Sequence, residues 1–364
     1  MRRLVTSLVV PAVLFLFAAP AGAQTRAAMG PNAYEVTNLV SDQMGVAAHQ
    51  DPNLVNAWGL VAGPTTPWWV ADNGTDLSTL YDGTGAAIPL VVKVAGAPTG
   101  AVFNGSTGFV VRHRDASGPS LFLFATEGGT IRGWNPAVPN LGPTTKSTKT
   151  FTLVDRSGAG AIYTGLAIAT TVAGPRLYAT DFHNGRVDVF DGSLRRIVRT
   201  GAFVDPNLPN GFAPFGIQAI GSSIYVTYAK QDAAAEDDIA GAGLGFVDRY
   251  NKWGRFLGRV AGRGVLDAPW GLAWAPQGFG RFGGDLLVGN FGDGRITAFG
   301  MDADGSFTRE GQLRMPNGDP VWIDGLWALQ FGNGGPAGPT DSLSFTAGPD
   351  GESHGLFGTI TAAG

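Results

Sequence analysis

The sequence predicts an all-β protein folded as a six-bladed β-propeller, and three observations predict it. A unit of three or four short strands separated by polar turns recurs six times along the chain. The 364 residues include 56 glycines and 23 prolines, typical of a turn-rich chain, and 44% are hydrophobic, enough for a core. A single unit of this size is too thin to bury both faces, so the units must pack radially against one another.

The most regular unit covers residues 163–191. Its middle strand runs from Leu177 to Thr180 and is rich in strand-forming residues, and Asp181 to Gly185 forms a polar turn. The next strand, Arg186 to Phe190, alternates polar and apolar side chains. Upstream, Gly165 leads a further strand. We expect the other units to repeat this order.

A glycine leads the first strand of each unit, at intervals of roughly 50 residues, a spacing typical of propeller blades. These first strands would line the central channel, where a side chain would collide with the neighbouring backbone. The six predicted glycines are Gly59, Gly100, Gly165, Gly216, Gly271 and Gly325.

The sixth unit lacks a fourth strand after Ile360, whereas the stretch from Tyr34 to Val40 precedes the first unit and has no partner. We expect this stretch to pair with the last unit, with Val36 near Phe357, and so to close the ring. Closure would remove the exposed sheet edges of the seam. The predicted propeller domain therefore covers residues 34–364.

The N-terminal 23 residues read as a secretory signal peptide. Arg2 and Arg3 precede an apolar run, and the small residues at Ala21 and Ala23 are typical of a cleavage site. Residues 24–33 are expected to be a flexible N-terminus. The mature protein would be secreted or periplasmic, with no membrane span after cleavage.

Composition also excludes several classes of function. The chain has no cysteine, which removes disulfides, iron–sulfur clusters and thiol catalysis. The formal net charge of −4 leaves no basic stripe, so we expect no binding to nucleic acid. We expect a monomer.

In a propeller, the residues that enter each first strand and the turns after each second strand meet at one rim. The aromatic residues there would stack on a ligand and the carboxylates and amides would orient it, so this rim is the predicted binding site for a small molecule, a saccharide or a protein. The chosen ligand-binding candidates are Trp58, Phe215, Trp270, Asn56, Glu127 and Asp181. Further predicted turn residues at this rim are Asp72, Asn73, Lys230, Asp293, Asp350 and Glu352. The alternative is that the polar residues only form turns and the aromatic residues only fill space between blades.

A bound cation, Ca²⁺, is a further hypothesis. Hard cations need oxygen ligands that converge from several strands, and Glu127, Asp324 and Asn290 come from different units. The candidates for acid–base catalysis are His183 and His354, each close to an aspartate, although both also fit exposed turns. Residues 230–243 form an acidic insertion, either a mobile surface loop or a lid over its face.

Four segments carry a resemblance to a known family: 37–60, 68–83, 177–191 and 286–300. With them the chain resembles an uncharacterised exported bacterial family, many members of which carry a PEP-CTERM sorting tail. The blades are also similar to NHL repeats and, more distantly, to gluconolactonase-type propellers. The resemblance implies a six-bladed propeller and brings no activity with it.

Two functions of different classes therefore stand as hypotheses. The first is an exported, non-catalytic protein that binds a ligand or partner at the rim. The second is a divalent-metal-assisted hydrolase or lyase that acts on a small ester, lactone or saccharide.

Overall fold

The computed structural model describes residues 30–364 and confirms the six-bladed β-propeller. The expected signal peptide, residues 1–23, lies outside the described residues, as does most of the segment 24–33. At the end of that segment, Asn32 donates a hydrogen bond from Nδ2 to the carbonyl oxygen of Gln312. None of the helices within residues 30–364 is long and apolar enough to cross a membrane.

The first half of the described chain forms two leading strands and three blades. The leading strands are β1 (Tyr34–Ser41) and β2 (His49–Gln50). Blade 1 contains β3 (Ala57–Val61), β4 (Trp68–Asp72), β5 (Leu77–Tyr81) and β6 (Val92–Lys93). The strands that follow begin with β7 (Pro98–Phe103), β8 (Val110–His113) and β9 (Ala116–Pro119), and continue with β10 (Phe122–Thr126), β11 (Thr130–Trp134) and β12 (Phe151–Asp155). Of these, β7, β10, β11 and β12 form blade 2, whereas β8 and β9 form a separate hairpin inserted into it. Blade 3 contains β13 (Tyr163–Thr171), β14 (Gly174–Asp181), β15 (Arg186–Asp191) and β16 (Arg196–Ile197).

The second half forms blades 4 to 6. Blade 4 contains β17 (Phe212–Ile220), β18 (Ser223–Gln231), β19 (Asp238–Ile239), β20 (Gly245–Asn251) and β21 (Phe256–Gly262). Blade 5 contains β22 (Pro269–Trp274), β23 (Leu286–Asn290), β24 (Ile296–Met301) and β25 (Phe307–Gln312). Blade 6 contains β26 (Leu326–Phe331), β27 (Leu343–Ala347) and β28 (Leu356–Ala362), completed by β1 and β2.

The ring closes as the sequence predicts. Strand β1 runs antiparallel to β28, with Val36 opposite Ile360 and Val40 opposite Phe357. The chain start therefore supplies the fourth strand of blade 6. Tyr34, at the start of β1, is fully buried and donates from its hydroxyl to the Phe279 carbonyl oxygen of blade 5. The seam is thus held by main-chain pairing and by packing.

Five of the six predicted glycines face the next inner strand closely. A Cβ on Gly59 would overlap the Thr99 carbonyl oxygen, and a Cβ on Gly216 would overlap that of Trp270. The same crowding holds at the three remaining positions, which are Gly100, Gly165 and Gly271. The inner strands therefore pack backbone against backbone around the axis, and a side chain larger than hydrogen would push them apart.

The prediction for the sixth glycine was wrong. Gly325 precedes β26 at a φ of 62° and faces Gly348, outside the inner-strand contact. Ala328 takes the inner position instead, since its N–H donates to Thr346 Oγ1 over 3.1 Å, as the N–H of Gly216 donates to Thr227 Oγ1 over 2.8 Å. The motif Trp-Ala-Leu in β26 is thus the counterpart of Trp-Gly-Leu in blades 1 and 5.

Candidate functional site

A chain of polar side chains spans three blades at the end of the propeller where the inner strands begin, which we call the upper mouth. Asn56 of blade 1 donates from Nδ2 to Glu352 Oε2 of blade 6 over 2.6 Å. The same Nδ2 lies 3.2 Å from Asn73 Oδ1, and Asn73 Nδ2 donates to Glu127 Oε2 of blade 2 over 2.8 Å. The amides therefore hold two carboxylates from different blades in fixed positions.

Asn56 is the centre of this chain because of its backbone as well as its side chain. Its φ of 44° lies in the left-handed region, which asparagine tolerates better than most residues. Its N–H donates to the His354 carbonyl oxygen, and its Oδ1 accepts the indole N–H of Trp327 over 2.9 Å. One residue thus ties blade 1 to blade 6 through both main chain and side chain.

Below the polar chain, aromatic side chains fill the axis and form what we call the aromatic plug. The rings of Trp58 and Trp327 stack with centroids 3.8 Å apart, and Phe291 stacks on the other side of Trp327 at 4.0 Å. Phe215 is 2% exposed and packs edge-on against Trp327. The members of the plug are Trp58, Phe182, Phe215, Trp270, Phe291 and Trp327. The predicted aromatic candidates therefore do meet, but as a packed core.

The channel is narrow beneath the plug. Trp270, the partly exposed tryptophan of the cluster, donates from Nε1 to the Thr164 carbonyl oxygen. It also lines a cavity of about 30 Å³ that reaches Gln218 and Gln330. The plug therefore separates the upper mouth from the opposite end of the channel.

The acidic insertion lies across the upper mouth. We call residues 231–241 the lid. On the blade 3 side, Gln231 Nε2 donates to the Phe182 carbonyl oxygen over 2.7 Å, and His183 Nδ1 lies 3.2 Å from the Ala235 carbonyl oxygen. On the blade 5 side, the N–H of Gly241 donates to Asp267 Oδ1 over 2.6 Å. The lid is thus attached on both flanks of its own blade.

The lid brings the carboxyl groups of Asp237 and Asp238 close to Glu352 at the mouth. Asp238 is partly buried, and burial raises its pKa to about 8, with the charges of Asp237, Glu352 and Asp267 adding to the effect. Burial also raises the pKa of Glu352 to about 7, although its bond from Asn56 acts in the opposite direction. The pKa of Glu127 is raised by burial as well, against the lowering effect of Asn73. Carboxylates from blades 2, 4 and 6, which alternate around the ring, therefore face one another.

These carboxylates have no cationic neighbour to neutralise them. Within residues 30–364, no arginine, lysine or histidine forms an ion pair with Glu127, Asp238 or Glu352. Asp238 Oδ2 and the indole nitrogen of Trp58 are also buried without a hydrogen-bond partner in that range. Near neutral pH the raised pKa values mean that Asp238 largely keeps its proton and Glu352 keeps part of its own, so the mouth holds carboxyl groups with no cationic partner in the described chain.

The remaining predicted site residues lie apart from this cluster or serve local structure. Asp181 is fully buried and is held by Asn184 Nδ2 at 2.9 Å and by Arg186 Nη2 at 2.9 Å. Asp324 is exposed and accepts the N–H of Asp350.

Asn290 Nδ2 donates to the carbonyl oxygen of Val265 and to Asp293 Oδ1, both over 2.8 Å, while its own Oδ1 has no partner in the described chain. The part of the chain that the structure describes has no group of three or more His, Asp or Glu side chains placed to hold a metal ion.

The two candidate catalytic histidines are far apart in the ring. His183 belongs to blade 3 and contacts the lid, whereas His354 belongs to blade 6, on the opposite side of a six-membered ring. His354 Nδ1 lies 2.7 Å from Asp42 Oδ2. Each histidine therefore already has a local partner, and the structure does not bring the two together.

Sequence reasoning missed several residues of the plug and the mouth. Trp327 was not among the candidates, although its motif repeats that of Trp58 and Trp270. Phe182 and Phe291 directly follow Asp181 and Asn290, so the shared position after the second strand was an available signal. Asp237 and Asp238 lie in the predicted lid, but their approach to Glu352 depends on how the lid crosses the mouth.

Comparison with known proteins places the chain among relatives of viral origin. An uncharacterised protein of Acanthamoeba polyphaga mimivirus is 34% identical over 340 residues, which cover 90% of this chain and 80% of the relative. A second uncharacterised mimivirus protein is 34% identical over 312 residues, covering 81% of this chain and 78% of the relative. The chain belongs to this family. No family model matches the sequence.

Solved structures also resemble this chain, but at 10–12% sequence identity the likeness shows a shared fold only. A protein of unknown function from Bacteroides thetaiotaomicron superposes with a TM-score of 0.53 at 10% identity, covering 90% of this chain and 76% of that one. A catalytically inactive virginiamycin B lyase from Staphylococcus aureus, solved with quinupristin, gives 0.51 at 10% identity, covering 91% and 99%. A glucose dehydrogenase gives 0.50 at 12% identity, also covering 91% and 99%. The expected bacterial origin and PEP-CTERM association gain no support, because these sequence relatives are viral.

Proposed function

We propose that this protein is a ligand-binding β-propeller and that its upper mouth takes up a positively charged ligand. The observation that carries the proposal is the arrangement of Glu127, Asp238 and Glu352, which come from three alternating blades and form no ion pair with an arginine, lysine or histidine among residues 30–364. Buried carboxylates that face one another repel, and they gain stability when a cation is placed among them. The ligand would therefore replace repulsion by attraction.

Two buried polar atoms without a partner in the described chain support the same proposal, one at the mouth and one in the aromatic plug below it. Trp58 is 4% exposed and its indole N–H has no partner among residues 30–364, and Asp238 Oδ2 has none either. A buried polar atom without a hydrogen bond is costly, typically by about 1–3 kcal/mol. A ligand with both a cationic group and an acceptor atom would satisfy both.

The lid would control access to this site. It is attached by a few hydrogen bonds that involve Gln231, His183 and Gly241, and its strand structure is limited to the two-residue strand β19. Loops attached in this way open at lower free-energy cost than the blades themselves. Ligand entry would then involve movement of residues 231–241 away from the mouth.

Thermal unfolding at pH 9, where Glu352 and most of Asp238 are charged, tests the proposal. The probes are CaCl₂ and putrescine, a divalent metal ion and an organic dication. Putrescine is expected to raise the Tm of the wild type, since a ligand of the folded state stabilises it. CaCl₂ is expected to have little effect, because the described residues include no group of three or more carboxylates or histidines placed to hold a metal ion. The double variant Glu127→Gln with Glu352→Gln should lose that rise, while Glu236→Gln, an exposed lid residue, should keep it.

Two results would overturn the proposal: no rise in Tm with either probe, or an equal rise in the double variant. Whether CaCl₂ or putrescine gives the larger rise in Tm would show whether the site prefers a metal ion or an organic cation.

The second function, a divalent-metal-assisted hydrolase or lyase on a small ester, lactone or saccharide, is less well supported. Its catalytic candidates, His183 and His354, lie on opposite blades and contact Ala235 and Asp42. Export to the secreted or periplasmic space remains part of the proposal on the strength of residues 1–23 alone. Mass spectrometry of the mature N-terminus, expected near Gln24, tests it.

A further inference from the structure

A second candidate site lies at the outer edge of the ring, between blades 3 and 4. It is a groove of about 230 Å³, which we call the basic groove. Strands β14, β15 and β16 provide one wall, and the turn between β20 and β21 provides the other. The charged and aromatic side chains that line it are Arg176, Arg186, Asp188, Arg196, Arg199, Phe203, Lys252 and Trp253.

The charge of this groove is opposite to that of the whole chain. The chain has 25 lysines and arginines and a formal net charge of −4. Four arginines and one lysine nevertheless line this single groove, against one aspartate. Like charges that share a groove raise the local positive potential and attract anions.

Two of the arginines are fixed by the aspartate. Asp188 is 1% exposed and accepts hydrogen bonds from Arg186 Nε at 3.1 Å and from Arg196 Nε at 2.8 Å. Arg186 also pairs with Asp181 at 2.9 Å. These two guanidinium groups are therefore neutralised and form a rigid wall.

The other three cations have no carboxylate partner in the described chain. Lys252 Nζ donates to the Thr170 carbonyl oxygen at 3.2 Å, and Arg176 Nη1 lies 3.5 Å from the Pro175 carbonyl oxygen. The Arg199 guanidinium lies over the Trp253 ring, 5.2 Å from its centroid. A guanidinium that stacks on an aromatic ring keeps its in-plane N–H groups free for an oxyanion.

The groove also has an apolar side that is open to solvent. Trp253 is 38% exposed and Val198 is 77% exposed, while Phe203 is buried beneath them. Exposed apolar surface next to cationic side chains without carboxylate partners is typical of a binding site for a molecule that has both an anionic group and an apolar part.

We propose that the basic groove binds a small organic anion. Its carboxylate or phosphate group would be held by Arg176, Arg199 and Lys252, and a flat apolar body would lie against Trp253. Arginine suits this role because its planar donors match the geometry of carboxylate and phosphate. The site is separate from the upper mouth, and its proposed ligand has the opposite charge.

Titration calorimetry with three probes tests the inference: 2-naphthoate, the neutral analogue 2-naphthalenemethanol, and inorganic phosphate. The wild type should bind 2-naphthoate at least tenfold more tightly than either of the other two. Arg199→Ala and Arg176→Ala should each weaken 2-naphthoate binding about tenfold or more, as expected when a charged hydrogen bond is lost.

The control is Arg195→Ala, which removes the same charge from an exposed residue four positions from Arg199 that does not line the groove. It should leave the affinity within about twofold. Equal binding of the neutral analogue, equal binding of phosphate alone, or equal weakening by Arg195→Ala would each overturn the inference. Because Glu352→Gln alters only the upper mouth, it should leave 2-naphthoate binding unchanged, so this result is independent of the cation experiment.

Discussion

Asn56 and Glu352 share a hydrogen bond of 2.6 Å across the junction between the first and the last blade. Asn56 is 3% exposed and Glu352 is partly buried, so water cannot replace this bond easily. The same contact connects the ring closure to the candidate site, because Asn56 also binds Asn73 and Trp327. Substitutions of Asn56 or Glu352 should therefore affect both the stability of the closed ring and ligand binding at the upper mouth.

Truncation of Glu352 should therefore destabilise the propeller. We expect Glu352→Ala to lower the free energy of unfolding by about 1–3 kcal/mol, since the Nδ2 group of Asn56 loses its strongest acceptor. Urea denaturation followed by tryptophan fluorescence measures the change. Glu352→Gln keeps an acceptor oxygen and removes the repulsion from Glu127 and Asp237, so it should cost less than the alanine variant. A larger loss in the glutamine variant would contradict the role given to this bond.

The buried carboxyl groups of the upper mouth should make stability depend on pH. The pKa of Asp238 is raised from 3.8 to about 8 and that of Glu352 from 4.5 to about 7. The folded state therefore retains protons that the unfolded state releases, so this stabilisation is complete below about pH 4 and is lost as the pH rises towards 8. Urea denaturation at a series of pH values from 4 to 9 measures it.

Asp238→Asn is the matching variant, because an amide imitates the protonated acid. We expect it to flatten the pH dependence and to raise the free energy of unfolding at pH 8 by about 1–2 kcal/mol, with little effect at pH 4. A curve parallel to that of the wild type would show that Asp238 titrates normally.

The inner-strand glycines should tolerate no side chain. Gly216→Ala would place a Cβ against the Trp270 carbonyl oxygen, so we expect a loss of about 1–3 kcal/mol or more. Gly158→Ala is the matched control, since a Cβ there meets nothing within 4 Å. Thermal unfolding of the two variants side by side measures the difference. Equal Tm values would show that the inner strands can move apart freely.

The seam between β1 and β28 should contribute strongly to stability. Phe357 is fully buried, lies opposite Val40 and stacks near Tyr81 of blade 1 with centroids 5.7 Å apart. Phe357→Ala should cost about 3–5 kcal/mol, whereas Val172→Ala, at a fully exposed position, should cost less than about 0.5 kcal/mol. Chemical denaturation measures both. A small loss at Phe357 would mean that the ring is held mainly by other contacts.

Local sequence patterns were sufficient for the fold because each blade carries its own strands and turns. In blade 3, the two strands and the turn from Asp181 to Gly185 between them lie in consecutive residues. The β1–β28 pairing was predictable because the last unit lacked a fourth strand while the stretch before the first unit had no partner. The Gly325 prediction failed because two small residues, Gly325 and Ala328, lie three positions apart and either could fit the crowded inner-strand position. Only the hydrogen bond from Ala328 to Thr346 decides between them.

The site was less predictable because its members are brought together by packing. Asn56, Glu127 and Glu352 were each placed at the rim from their positions, but the hydrogen-bonded chain among them depends on side-chain directions. The basic groove was not foreseen. Arg176 and Lys252 are distant in sequence and belong to different blades, so no local pattern joins them.

The N-terminal strand has a consequence for biosynthesis. Because β1 pairs with β28, a strand from the start of the described chain must wait for the last strand of the propeller before it can form its sheet. During that interval β1 has no partner strand, and residues 34–41 remain available for wrong pairing. Chaperones that hold nascent chains would thus be most useful to this protein at its beginning, and a second copy's β1 would be the natural competitor for the edge of β28.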